Sequence, residues 1–191
     1  QCTGAPLSPA LKREIVARWP GAFLEIYGLT EGGCTCILDA AAHPDKAHTV
    51  GQPAPGNDIR VIDEHGADVP PGQPGEIVGR SAMMMSGYFR NPEAERAFYW
   101  RDSAGILYHR TGDIGRFDED GFLILLDRKK DVIISGGFNI YASDIEARLL
   151  EHPAIAEAAV IGVPSARWGE TPLAFVVAHP GPPPDAAALA E

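Results

Sequence analysis

From Asp58 onward the apolar residues come in short runs, each closed by a turn. Ile59-Arg60-Val61-Ile62 is followed by Glu64-His65-Gly66. Gly75-Glu76-Ile77-Val78-Gly79 has glycine at both ends. Gly121-Phe122-Leu123-Ile124-Leu125-Leu126 follows Asp118-Glu119-Asp120-Gly121. Runs this short, punctuated by glycine turns, suit strands better than helices. They predict a small antiparallel sheet or barrel over about residues 50–127. Met83-Met84-Met85 is expected to pack within it.

The segment before it carries a different pattern. Gln1 to Thr3 has a strand-like texture. Ser8 can cap a helix with Pro9 in its first turn, and Leu11, Ile15 and Trp19 then share a face. Pro20-Gly21 stops the helix, and Ala22 to Ile26 forms a strand ending at Tyr27-Gly28. This is a β-α-β piece. Residues 31–57, rich in Gly, Pro, Ala and His, are expected to be loop with one strand.

Beyond Arg128 the texture changes again. Val132-Ile133-Ile134 is a strand and Ser135-Gly136-Gly137 a permissive turn. Ser143-Asp144-Ile145-Glu146 has the form of a capping box, with Ile145 and Leu149 on one helix face. His152-Pro153 ends that helix, and Ala158 to Val163 and Leu173 to Ala178 are strands. The fold class is therefore mixed α+β. A first domain is expected over residues 1–127 and a small α+β domain over 128–191, with the boundary near residues 127–131. Pro180 to Pro184 is expected as a turn or linker, and Asp185 to Glu191 as a helix start. Both ends look cut, so a longer parent protein is expected.

Composition excludes some functions. A net charge of -10 argues against a nucleic-acid surface. Cys2, Cys34 and Cys36 are too few and too irregular for a disulfide framework, which favours a reducing compartment such as the cytoplasm. Cys34-Thr35-Cys36 has the spacing of half a metal site but no second ligand pair. No apolar run is long enough to span a membrane.

The chemistry concentrates in two stretches, Tyr108-His109-Arg110-Thr111-Gly112-Asp113 and Asp127-Arg128-Lys129-Lys130. Asp113 is expected on a glycine turn, where its carboxylate can accept two hydrogen bonds from a vicinal diol such as ribose. Arg128 can add donors to the same sugar or to a phosphate.

Five blocks in order then carry a resemblance. Thr3-Gly4-Ala5-Pro6 comes first, with Tyr27-Gly28-Leu29-Thr30-Glu31 after it. Gly75-Glu76-Ile77 leads on to Gly87-Tyr88-Phe89 and Asn91-Pro92-Glu93. Thr111-Gly112-Asp113 follows. Asp127-Arg128-Lys129-Lys130-Asp131 runs on through Ser135-Gly136-Gly137-Phe138-Asn139-Ile140 and Asp144-Ile145-Glu146 to Val163-Pro164 and Trp168-Gly169-Glu170. The chain resembles the later part of the AMP-forming acyl-CoA synthetases, members of the acyl-adenylate-forming superfamily. Peptide-synthetase adenylation domains and beetle luciferases are relatives of that group.

The resemblance implies ATP-dependent activation of a carboxylic acid through an acyl-AMP, then thioester formation with CoA. It implies that Gly4, Ala5, Pro6, Tyr27 and Gly28 surround adenine, with Thr30, Asp113 and Arg128 also binding the nucleotide. Thr30 and Glu31 would be catalytic, with Glu31 also holding Mg²⁺. Lys130 would be the hinge on which a small C-terminal domain rotates. Ser135, Gly136 and Gly137 would line the path of CoA, and Gly28, Gly32 and Gly33 would border the acyl pocket. The bland alternatives are turn residues, surface ion pairs and, for Tyr27, a half-buried core position.

The family's Ser/Thr/Gly-rich pyrophosphate loop and its C-terminal adenylation Lys have no match in this sequence. The chain alone is therefore expected not to form acyl-AMP, and pyrophosphate exchange above a no-enzyme blank would contradict this. A carrier protein as acceptor, a non-catalytic nucleotide binder and a luciferase-type oxygenase remain as alternatives. A homodimer is left open.

Overall fold

The structure, a computed structural model, describes residues 1–181. It divides into two compact units, Gln1–Leu125 and the chain from Leu126 onward.

The first unit opens with strand β1 (Cys2–Thr3), helix α1 (Pro9–Arg18) and strand β2 (Leu24–Gly28). β1 lies parallel to β2, with Cys2 opposite Glu25, as a helical crossover requires. Ser8 caps α1 by accepting from the Leu11 amide at 3.2 Å. Residues 31–57 hold two strands rather than one, β3 (Thr35–Asp39) and β4 (Gln52–Pro53), and the sheet order is β1-β2-β3-β4.

The buried face of α1 differs from the expected one. Leu11 and Trp19 are exposed, whereas Lys12 is 2% exposed. Ile15 and Val16 pack against Phe23, Leu38, Ala40 and Phe122. Lys12 can be buried because its ammonium meets both a carboxylate and a backbone carbonyl in the interior. It pairs with Glu25 and donates to the Thr49 carbonyl at 2.8 Å, while Glu25 also accepts from the Leu7 amide at 3.0 Å.

The second sheet holds β5 (Asp58–Ile62), β6 (Gly75–Arg80), β7 (Tyr99–Arg101), β8 (Leu107–Phe117) and β9 (Leu123–Arg128), with helix α2 (Pro92–Phe98) leading into β7. Its order is β5-β6-β8-β7, with β9 also on β8. Cys34, Cys36, Val50, Ile59, Val61, Ile77 and Leu123 form a core between the two sheets.

Asp113 lies within β8 and not in a hairpin turn. Opposite β6, Arg110 pairs with Val78 and Ile114 with Glu76, so Thr111, Gly112 and Asp113 face Ile77 alone. Gly112 absorbs this bulge at φ +72°, a left-handed conformation that glycine adopts without strain. Thr111 stitches it, donating to the Ile77 carbonyl at 2.9 Å and accepting from the Asp113 amide at 3.0 Å.

Among the described residues the second unit is a four-stranded sheet with one helix. Strands β10 (Ile133–Ser135) and β11 (Phe138–Ile140) form a hairpin. Helix α3 (Ala142–Leu150) follows, then β12 (Ile155–Ser165) and β13 (Gly169–Ala178). The order is β11-β10-β13-β12. Ile133, Ala142, Leu149, Ile155 and Val160 form its core.

The expected capping box does not form. Tyr141 stands at the cap position. The Ser143 hydroxyl donates to the Leu126 carbonyl instead, and Glu146 accepts from the Val160 amide at 2.8 Å. Both side chains serve longer-range partners. The expected helix start at Asp185 to Glu191 lies outside the described residues, as do residues 182–184 of the expected linker.

Candidate active site

Tyr27 is the penultimate residue of β2 and Asp113 sits on the β8 bulge, 86 residues apart in sequence. The Tyr27 hydroxyl donates to Asp113 Oδ2 at 2.7 Å. Burial pushes the Tyr27 pKa well above its ordinary value, and the neighbouring Cys34 thiol and Asp113 carboxylate add to this, so the phenol stays protonated as a donor. Asp113 is thereby fixed in direction by a phenol on one side and by the bulge on the other. Gly4 and Ala5 form an exposed bend just past β1, whose Thr3 pairs with Ile26, the residue before Tyr27. Pro6, after the bend, is exposed too. The Gly4–Pro6 segment, Tyr27 and Asp113 thus lie in one unit, the first two beside and on the paired strands β1 and β2 and the third on β8 of the second sheet.

Thr30 and Glu31 are the central residues of a turn closed by the Gly32 amide on the Leu29 carbonyl at 3.1 Å. Thr30 is exposed and Glu31 half-buried. Glu31 Oε1 accepts from the Tyr88 hydroxyl at 2.8 Å, and that bond, with burial, pushes the Tyr88 pKa up to about 12.

The methionine run crosses this turn with its backbone. The Met85 amide donates to the Glu31 carbonyl at 2.8 Å, and a Cβ on Gly32 would lie 2.0 Å from the Met83 carbonyl oxygen. Met83 is 81% exposed, so the expected packing of its side chain within the sheet is not what the structure has. Glycine at position 32 is what lets this backbone approach.

Cys34 and Cys36 are free thiols in the core, and burial pushes the Cys34 pKa up to about 12. Among the described residues no three His, Cys, Asp or Glu side chains converge as a metal cage. Glu31 offers a single hard-oxygen ligand. That fits Mg²⁺, which takes one or two carboxylates and completes its shell with phosphate and water.

The remaining expected residues lie in the second unit. Arg128 ends β9, exposed, with its amide on Asp127 Oδ1 at 2.7 Å. Lys130 is exposed in the turn between β9 and β10, which the Asp131 amide closes on the Arg128 carbonyl at 2.9 Å. Gly136 and Gly137, at φ +58° and +86°, make the two-residue turn that joins Ser135 to Phe138. Space is open where a Cβ on Gly137 would lie, so a ligand can approach this backbone closely. Trp168 packs against Gly136 and shares its carbonyl with the Gly136 amide at 2.8 Å.

Tyr88, His109 and Trp168 were visible in the sequence blocks but carried no assigned role. Their partners lie 57, 77 and 32 residues away, and no local spacing reveals contacts of that kind.

Two family models match this chain. One, described as AMP-binding enzyme, covers residues 1–89, and the other, AMP-binding enzyme C-terminal domain, covers residues 144–191. The chain belongs to the AMP-binding enzymes. Among curated relatives of this AMP-binding chain, a fatty acid–[acyl-carrier-protein] ligase, ScoC of Streptomyces coeruleorubidus, is 42% identical over 95% of the chain and 35% of the relative. A 2-succinylbenzoate–CoA ligase of Bacillus licheniformis is 42% identical over 81% of the chain and 31% of the relative. The solved o-succinylbenzoate CoA synthetase of Bacillus subtilis, in complex with its acyl-adenylate intermediate, superposes with a TM-score of 0.84. It is 34% identical over 98% of this chain and 37% of that one. The amide bond synthetase McbA of Marinactinospora thermotolerans gives 0.82 at 38% identity, over 98% of this chain and 38% of that one. The chain thus spans about a third of the length of these relatives.

Proposed function

We propose that this AMP-binding chain is part of an AMP-forming acid–thiol ligase that activates a fatty or aryl carboxylic acid and passes the acyl group to CoA. The observation that carries the reading is the Tyr27–Asp113 hydrogen bond, which orients a buried carboxylate beside the strand that leads into Thr30 and Glu31. The succinylbenzoate, fatty-acid and feruloyl ligases among the relatives support the reaction class.

In the first step the substrate carboxylate attacks the α-phosphorus of ATP. The acyl-AMP bond forms and pyrophosphate leaves with the electron pair of the broken P–O bond. Asp113 accepts hydrogen bonds from the ribose hydroxyls, and Arg128 donates to the same sugar. The Thr30 hydroxyl donates to a phosphate oxygen. Glu31 holds Mg²⁺, which when bound offsets phosphate charge. In the second step a thiol attacks the acyl carbon, AMP leaves, and one proton is released. Lys130 serves as the hinge between the steps, and Ser135, Gly136 and Gly137 border the pantetheine of CoA. Gly28, Gly32 and Gly33 border the acyl group. A cytoplasmic, soluble enzyme, as a monomer or a homodimer, agrees with this chemistry. No helix among the described residues is long and apolar enough to cross a membrane.

A CoA-dependent AMP-release screen of the full-length enzyme against acids of varied chain length tests the reading. Release with at least one acid, dependent on both ATP and CoA, is expected. Acid-dependent pyrophosphate release without AMP release on adding CoA would redirect the second step. The name of the acyl-carrier-protein ligase relative makes a carrier thiol the second reading, and a carrier protein in place of CoA is the matching arm of the screen.

A further inference from the structure

His109 lies on β8 four residues before Asp113 and is fully buried. Its Nδ1 stands 3.2 Å from the carbonyl oxygen of Gly32. A carbonyl only accepts, so Nδ1 carries the hydrogen and Nε2 is the bare nitrogen of a neutral ring. The ring is clamped between Phe98, with centroids 4.4 Å apart, and Tyr99 at 5.1 Å. Phe98 in turn meets Tyr88 at 5.6 Å, and the Tyr88 hydroxyl holds Glu31. The contacts close a circuit from Glu31 through Tyr88, Phe98 and His109 back to Gly32, the residue next to Glu31.

We propose that His109 is a positioning residue whose hydrogen bond to the Gly32 carbonyl holds the turn that presents Thr30 and Glu31. Nε2 is buried and finds no partner among the described residues. A ring that served only as packing would fill this aromatic slot better as a phenylalanine, with no polar atom to bury. What the imidazole adds over a phenyl ring is the grip on Gly32. The turn is then held at both ends, by Tyr88 on the carboxylate and by His109 on the backbone that follows it. A Cβ at Gly33 would lie 3.1 Å from Nδ1, so the chain passes directly over the ring. The consequence for magnesium rests on the proposed ligase reading, in which Glu31 is the Mg²⁺ ligand.

The test compares His109→Phe, which keeps the ring and loses the donor, with His109→Asn, whose amide nitrogen replaces Nδ1. Both are made in the full-length ligase carrying this segment. Two quantities are read: amide exchange of Gly32, and the magnesium concentration that half-saturates acid-dependent pyrophosphate exchange. In His109→Phe both are expected to rise about 10-fold, the loss of one buried hydrogen bond, while the KM for the acid stays within about 2-fold. His109→Asn is expected to remain within about 3-fold of wild type in both. Unchanged values in His109→Phe, or equal impairment in the two variants, would overturn the proposal. If the wild-type enzyme shows no acid-dependent exchange at all, the ligase reading fails, and the Gly32 amide alone still decides whether His109 holds the turn.

Discussion

The phenol of Tyr27 and the carboxylate of Asp113 meet at 2.7 Å, joining the end of the first sheet to the bulge of the second. If Asp113 binds the ribose, this bond fixes which oxygen faces the sugar. Asp113→Ala in the full-length enzyme is expected to raise the KM for ATP by at least about 10-fold, since it removes a charge-assisted contact. Tyr27→Phe keeps the carboxylate and is expected to cost less, about 3- to 5-fold. An unchanged KM for ATP in Asp113→Ala would contradict the ribose role.

Glu31 and Tyr88 separate in the same way. Glu31→Gln keeps the shape and an acceptor for Tyr88 but removes the charge. It is expected to lower acid-dependent pyrophosphate exchange about 100-fold at limiting magnesium, with partial recovery at high magnesium. Tyr88→Phe leaves the charge and is expected to change the rate by less than about 10-fold. A magnesium titration of both variants checks this, and a Glu31→Gln enzyme with wild-type magnesium dependence would remove Glu31 from the metal.

The buried Lys12–Glu25 pair gives a prediction about stability. Lys12→Ala strands the Glu25 carboxylate in the interior and is expected to cost about 3–5 kcal/mol. Lys12→Ala with Glu25→Gln neutralises the stranded charge while keeping an acceptor for the Leu7 amide, and is expected to recover part of that loss. Urea unfolding of the single and double variants measures both. A loss below about 1 kcal/mol in Lys12→Ala would mean that the pair is not what fixes α1 on its sheet.

Alkaline pH is expected to unfold the first unit. Burial raises the pKa of Tyr27, Cys34 and Cys36, that of Cys34 to about 12. A group whose folded pKa lies above its unfolded value stabilises fully below the unfolded pKa and loses that contribution as pH rises. The unfolded values are 9.0 for cysteine and 10.0 for tyrosine. The urea midpoint should therefore hold up to about pH 8 and fall steadily from about pH 9 to 12. A flat midpoint across that window would show that these groups stay accessible to water.

Much of the architecture could be read directly. Ser8-Pro9 announced α1, Gly136-Gly137 announced the turn after β10, though not the strand β11 beyond it, and the runs after Asp58 announced the antiparallel sheet. What escaped was set by partners distant in sequence. Spacing alone put Leu11 and Trp19 on the inner face of α1, but Glu25 and the Thr49 carbonyl make burial of Lys12 possible. Ser143 and Glu146 have the letters of a capping box, yet each bonds elsewhere. Gly112-Asp113 has the letters of a turn, and only the pairing of β8 with β6 shows a bulge. At the candidate site, Tyr27, Thr30, Glu31 and Asp113 were named from the sequence, whereas the long-range contacts of Tyr27 with Asp113, Tyr88 with Glu31 and His109 with Gly32 show only in the fold.

Strand β8 carries His109 under the Gly32 carbonyl and, four residues later, Asp113 against Tyr27. Both contacts are therefore measured along one strand, across the Gly112 bulge that Thr111 pins to the Ile77 carbonyl. Covalent geometry acts as a gauge here: the interval between the Thr30–Glu31 turn and the Asp113 carboxylate is set within a strand and not by loops that breathe. Length changes in residues 40–48 leave that interval alone, whereas one residue added between His109 and Asp113 would throw one contact or the other out of register.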